Sequence, residues 1–165
     1  MIDICCNLTH TALNSQLPKV LERALQAGVR TMIVTASDVA DSSAALRLTH
    51  QHAECLRATV GVHPHHADQW DDASYATLKE LAADAKVVAI GETGLDYYRN
   101  LSPPKTQHVV FEKQIELAID IGLPLFMHQR DAHEDFVNIL KSHRKHITKA
   151  VVHCFTGNRA MLDDY

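Results

Sequence analysis

The sequence predicts an α/β fold made of repeated strand–helix units in one domain spanning residues 1–165. Six apolar, often β-branched segments recur with starts about thirty residues apart, the length of a strand, a helix and two short loops. Most are continuous apolar runs rather than alternating ones, as expected of parallel strands covered on both faces. Polar side chains able to hold metal or phosphate fall at the C-terminal end of nearly every one.

The expected strands are Ile2–Cys6, Thr31–Thr35, Leu56–Val62, Val87–Ile90, Pro124–Met127 and Ala150–Cys154. Helical stripes separate them. Val20, Leu21, Ala24 and Leu25 form the first, entered at Pro18 and closed by Gly28. Ala44, Ala45 and Leu48 form the second, with Asp41 or Ser42 as its cap. Leu78, Leu81 and Ala82 mark the third. The fourth, through Phe111, Ile115, Ala118 and Ile119, opens at Ser102-Pro103-Pro104 and closes at Gly122. Phe136, Ile139 and Leu140 mark the fifth.

Two architectures use such a repeat: an open doubly wound sheet and a (β/α)₈ barrel. The first loop, CCNLTH, lacks a glycine-rich phosphate fingerprint, which counts against a dinucleotide-binding sheet. Polar residues at many strand ends favour the barrel, whose active sites are built there. A complete barrel needs eight strands and about 250 residues. The expectation is therefore an incomplete TIM-type barrel with about six of eight strands, truncated at the C-terminus.

Composition narrows the function. A net charge of −4 argues against a broad basic surface for nucleic acid but allows an enzyme that grips a few phosphates. No apolar run approaches the ~20 residues of a membrane helix. The opening MIDICCNLTH carries no secretory pattern, and the four cysteines form no CxxC pair, so a cytoplasmic, reducing setting is expected.

The strand ends, in order, present Asp3, Cys5 and Asn7; Thr35 and Ser37; His63 and His65; Glu92 and Asp96; His128 and Arg130; and His153. A carboxylate delivered by a buried strand persists when it is paired or coordinated, which singles out Glu92. His128 or His153 alone reads equally well as a core histidine. With Glu92 they make a two-histidine, one-carboxylate metal set. Arg130 suits bidentate phosphate binding, although a surface ion pair is the plain alternative. His63 is delivered directly by its strand and is a candidate site residue. His65 divides evenly between site and surface, and Asp96 between a site role and a turn cap. Tyr97, Tyr98 and Arg99 read as packing or as stacking for a single strand. Cys154 reads as a small core residue.

Taken in order, DIxxNLT, GVHPH, AIGETGLDYYRN, PLFMHQRDAHEDF and VVHCFTG resemble the TatD family of metal-dependent deoxyribonucleases from residue 2 to about residue 160. The resemblance implies a TIM-barrel metallohydrolase and cytoplasmic 3′–5′ exonuclease action on single-stranded DNA. It further implies magnesium held by Glu92, His128 and His153; manganese or zinc also suits the donor set. His63 and Arg130 are then the expected catalytic groups, and His65, Asp96 and Arg130 the expected substrate contacts. Two departures stand out. Cys5 and Asn7 replace the histidines of the DxHxH opening found in many members, and no counterpart of the later ETD-type aspartate is present. Much reduced activity of this chain alone is therefore expected, with self-association through open barrel edges. Another metallohydrolase chemistry, a deacylase or amidohydrolase, and a non-catalytic half-barrel needing a partner are the alternatives.

Overall fold

In the computed structural model, which describes residues 1–165, six strands form one sheet: β1 Ile2–Cys6, β2 Thr31–Val34, β3 Leu56–Val60, β4 Val87–Asp96, β5 Leu125–Arg130 and β6 Ala150–Val152. The helices are α1 Thr11–Asn14, α2 Leu17–Gln26, α3 Val39–Gln51, α4 Ser74–Ala82, α5 Pro104–Ile121, α6 His133–His143 and α7 Arg159–Asp163, with a 3₁₀ turn at Pro64–Gln69. Each strand pairs in parallel with its successor in sequence. A doubly wound sheet reverses its strand order at a switch point. This one never does, so it is singly wound, as a barrel is.

The sheet also curls. Laid flat, strands ~4.8 Å apart would put β1 and β6 about 24 Å from each other. Instead, ligand atoms of Cys5 on β1 and His153, just past β6, lie within 4.8 Å. The outer strands therefore bend toward one another at their C-terminal ends, and six strands form part of a barrel wall.

Local sequence explains the helix ends. Pro104 begins α5, and Gly122 ends it in the left-handed region at φ 71°, where its N–H meets the carbonyls of Ala118 and Ile119. Helix α3 starts earlier than expected, because Asp38 is the cap and accepts from the Asp41 N–H at 2.7 Å. Asp41 also turns its own carboxylate back to accept the N–H of Ser37, the residue before the cap, at 2.9 Å. On the helical side, Phe111 of α5 stacks on Phe136 of α6 with ring centroids 5.2 Å apart. That pair belongs to the larger core cluster, and a second cluster lies under α2 and α3.

Strand β4 does not stop at Ile90. It continues six residues to Asp96, so Glu92 and Asp96 lie inside the ladder rather than beyond it. Two glycines make this feasible. Gly91 and Gly94 sit at φ 146° and 136°, and a Cβ there would fall 2.1 Å from the Phe126 carbonyl oxygen and 1.9 Å from that of His128. Only a glycine lets β4 lie this close to β5. The apolar run ends, but pairing goes on through Thr93, Gly94, Leu95 and Asp96. Glu92 and Asp96, four apart in a strand, share one face.

The two outer strands are the least covered: Ile2 and Ile4 of β1 and Val151 of β6 are exposed. Cys154 is also exposed, not core, because β6 ends at Val152 and Cys154 turns away at φ 48°. No helix is long and apolar enough to cross a membrane.

Candidate metal centre

Glu92 is the hub of the C-terminal rim. Its Oε1 lies 3.3 Å from His128 Nδ1 and 3.6 Å from His63 Nε2, and it contacts His153 Nε2 most closely of all. These groups arrive from the ends of β3, β4, β5 and β6. Burial pushes the Glu92 carboxyl upward, but His128, His153 and His63 outweigh it and hold it far below the usual carboxylate range. Two groups of ligand atoms lie mutually within 4.8 Å: Cys5, Glu92 and His153, and His63, Glu92 and His128. Both contain Glu92. The two expected histidine ligands thus fall in separate groups that share the Glu92 carboxylate.

Hydrogen bonds fix which nitrogen carries the proton. Asp96 is buried, and its Oδ2 lies 3.1 Å from His128 Nε2 and 2.7 Å from His65 Nε2, while its Oδ1 accepts from the Arg99 N–H at 2.8 Å. Burial would raise the Asp96 carboxyl, but the Arg99 N–H and the two imidazoles keep it below its ordinary value. An ionised Asp96 only accepts, so His128 presents Nε2–H to it. Its Nδ1 then faces a Glu92 oxygen at 3.3 Å, a contact that either an Nδ1–H or a shared cation would satisfy. A cation suits that gap: ligands ~2.0–2.1 Å from a tetrahedral zinc-class ion stand about 3.3 Å apart. The carboxylate–histidine order is also how proteins orient a metal-binding imidazole.

His63 differs. Its Nδ1 accepts the N–H of His65 at 3.1 Å, so the neutral ring carries its proton on Nε2, facing the centre. Burial lowers its proton affinity and keeps it neutral. Ligation through Nε2 would require a proton on Nδ1, directly against that backbone N–H. His63 is built as a donor toward the centre, not as a free ligand.

His153 is nearly enclosed, and its Nδ1 is buried without a hydrogen-bond partner. Burial would lower this imidazole, but Cys5 and Glu92 raise it to about 10. A cation would reach this ring only by displacing the proton it shares with Glu92. Glu92, with ligand atoms of His128 and of His153 each within 4.8 Å of it, is a donor set that fits a divalent cation.

Two residues that sequence reasoning missed hold this rim in place. Gln114 Oε1 accepts the Val62 N–H at 2.7 Å, and its Nε2 donates to the Val62 carbonyl at 2.9 Å. Gln107 Oε1 accepts the Asp96 N–H at 2.8 Å, and its Nε2 donates to the carbonyls of Asp96 at 3.2 Å and Ser102 at 2.7 Å. Both glutamines are fully buried on α5, seven residues apart. Each side-chain amide acts as a short extra strand for the segment carrying His63 or Asp96. The available signal was polar residues at core-facing positions of an otherwise apolar helical stripe.

Arg130 lies at the rim and makes no ion pair with Glu92 or Asp96. It stacks over the exposed ring of Tyr98 at 4.8 Å and lies 3.9 Å from Asp131. Tyr97 turns away to a cluster with His108 and Asp135. Beside Glu92 opens a polar cleft of about 420 Å³ whose lining includes Asn7, His10, Thr35, Ser37, His63 and His65. Asn7 and His65 thus face open space next to the hub.

Residues 2–165 match the family model described as TatD related DNase. The chain belongs to the TatD-related DNase family. It is 47% identical over 163 residues to a protein of Erwinia amylovora named 3′-5′ ssDNA/RNA exonuclease TatD, covering 99% of this chain and 63% of that one. A protein of the same name from Edwardsiella piscicida is 44% identical, again over 99% and 63%. Among solved structures, a TatD homologue from Escherichia coli superposes with a TM-score of 0.92 at 30% identity, over 99% of this chain and 63% of that one. A TatD-family hydrolase from Entamoeba histolytica gives 0.90 at 29% identity, over 99% and 60%. The TatD-related chain therefore spans a little under two thirds of the length of these relatives.

Proposed function

We propose that this chain carries the metal centre of a cytoplasmic hydrolase that cleaves phosphodiester bonds of single-stranded nucleic acid from the 3′ end. One observation supports the reading above the others: Asp96 fixes the proton of His128 on Nε2, leaving Nδ1 and a Glu92 oxygen facing each other across 3.3 Å. A divalent cation between the two would satisfy both. The names of the relatives, exonucleases of single-stranded DNA and RNA, supply the substrate class.

Glu92, His128 and His153 are the proposed ligands. A divalent cation held there, magnesium by family and manganese or zinc by donor type, would polarise a phosphodiester oxygen and acidify a water. His63, neutral and protonated on Nε2, donates toward a phosphate oxygen as negative charge grows. Asp96 keeps His128 and His65 oriented, and His65 borders the cleft where substrate enters. Arg130, raised on Tyr98, offers a guanidinium to a neighbouring phosphate, and the exposed Tyr98 face can take a base.

The test follows a single-stranded DNA oligonucleotide labelled at its 5′ end, beside acyl and amide substrates, with magnesium, with manganese and with EDTA. Stepwise shortening from the 3′ end, lost in EDTA and in Glu92→Gln, is expected. EDTA-resistant cleavage, or turnover of only the acyl or amide substrates, would overturn the reading.

A further inference from the structure

Two neighbouring tyrosines follow β4 and keep different company. Tyr98 is exposed at the rim, and the Arg130 guanidinium lies over its ring at 4.8 Å. The phenol of Tyr97 instead meets α5 and α6. It donates to Asp135 Oδ2 at 2.7 Å and contacts His108 Nε2, which itself lies 3.3 Å from the same Asp135 oxygen. The His108 imidazole and the Tyr97 ring are nearly parallel, 13° apart in plane. Burial and Asp135 raise the Tyr97 phenol above its ordinary value, so it keeps the proton it donates. A strand end and two helices thus meet at one hydroxyl.

The metal centre uses none of these three residues. Their connection is to the stack. The Tyr97 N–H donates to the Arg130 carbonyl at 2.9 Å, just beyond the last paired residues of β4 and β5, Asp96 and Arg130. Asp135 follows Arg130 by five residues, so this backbone bond, the hydroxyl bond and the chain between them close a ring. Two non-glycine residues at positive φ flank the stack: Asp131 at 53° directly after Arg130, and Asn100 at 48° two residues after Tyr98. Such conformations persist where surrounding contacts hold them. Tyr97 is tied to both segments, next to Tyr98 in sequence and bonded to Arg130 through its backbone. A stack fixed in this way loses little conformational freedom when it takes a ligand.

We propose that Tyr97, held by Asp135 and His108, is a positioning residue that sets the Tyr98–Arg130 stack as a platform for one base and one phosphate of the strand, away from the bond being cut. It rests on reading the chain as one that acts on single-stranded nucleic acid. Tyr97 itself touches neither substrate nor reacting atoms.

The test uses the purified chain and a fluorescein-labelled single-stranded oligothymidylate. Affinity is read by anisotropy in magnesium, with the 3′ end of the probe blocked by phosphorothioate linkages; KM and kcat are read separately on the unblocked strand. Tyr97→Phe and Asp135→Ala should each weaken affinity and raise KM by ~3–10-fold with kcat within ~2-fold, toward the lower end of the ~5–150-fold that one base stacked on an aromatic ring is worth. Asp135→Asn, which keeps an acceptor oxygen, should stay near wild type. Tyr75→Phe is the control: it removes a similar hydroxyl bond, 2.8 Å to Asp120, that joins α4 to α5, and should change neither quantity. In a chain carrying Tyr98→Ala and Arg130→Ala, Tyr97→Phe should have no further effect, because the platform it positions is gone. Unchanged affinity and KM in Tyr97→Phe, a lower kcat at unchanged KM, an equal loss in the chain without the stack, or a wild type that does not bind the probe would each overturn the proposal. Binding that depends on Tyr97 in this way, without cleavage, would keep the platform and refute the nuclease reading; cleavage with KM unchanged in Tyr97→Phe would do the reverse.

Discussion

Replacing Gln114 with leucine should weaken the fold far more than loss of one polar side chain from a helix ordinarily does. Gln114 holds both backbone groups of Val62, which lies past the end of β3 and has no ladder partner there. Leucine has nearly the same volume, so little cavity opens. The cost is electrostatic. A buried N–H and a buried carbonyl each lose a partner, at ~1–3 kcal/mol apiece, giving about 2–6 kcal/mol in all. Gly61 sits too close to the amide for a neighbour to fill in, since a Cβ there would lie 2.8 Å from Gln114 Oε1. Urea unfolding followed by fluorescence of Trp70, the single tryptophan, measures the change. Gln26→Leu is the control: Gln26 is exposed and bonds only Glu22, so a change within ~0.5 kcal/mol is expected. A Gln114→Leu loss no larger than that of the control would refute the claim that this amide stands in for a missing strand.

Two further outcomes follow from the rim. Gly94→Ala should cost at least ~3 kcal/mol, because its Cβ would lie 1.9 Å from a backbone oxygen at φ 136°; Gly28→Ala, with open space around it at φ 80°, should cost ~1–2 kcal/mol in the same unfolding assay. Asp96 titrates below its unfolded value near ~3.9, so the stability it contributes is present above that pH and fades as pH falls through the folded carboxyl's range. The stability gap between wild type and Asp96→Asn, measured by urea unfolding from pH 6 downward, should therefore shrink in acid; a gap that stays constant would contradict the assignment of an ionised Asp96.

The strand rhythm, the helical stripes and the polar strand ends were legible because they depend on local periodicity and on where apolar runs stop. Glu92, His63, His128 and His153 could be picked out singly for the same reason. Their grouping could not. Nothing along the chain says that His128 and His153 both meet Glu92, or that Asp96 holds His128 and His65 together. Strand β4 looked finished at Ile90 because hydrophobicity ends there, whereas its pairing is set by how closely β5 can approach Gly91 and Gly94.

By itself, the sequence determined a parallel strand–helix repeat and the chemical kinds of side chain its strand ends would carry. Tertiary structure alone decided the protonation pattern and the company each side chain keeps. It fixed His63 as a donor through a backbone N–H two residues on, and held Val62 and Asp96 with amides from α5. It also brought Cys5 across the curl to His153. Those outcomes depend on contacts between residues far apart in the chain, and only the closing of the sheet sets such distances.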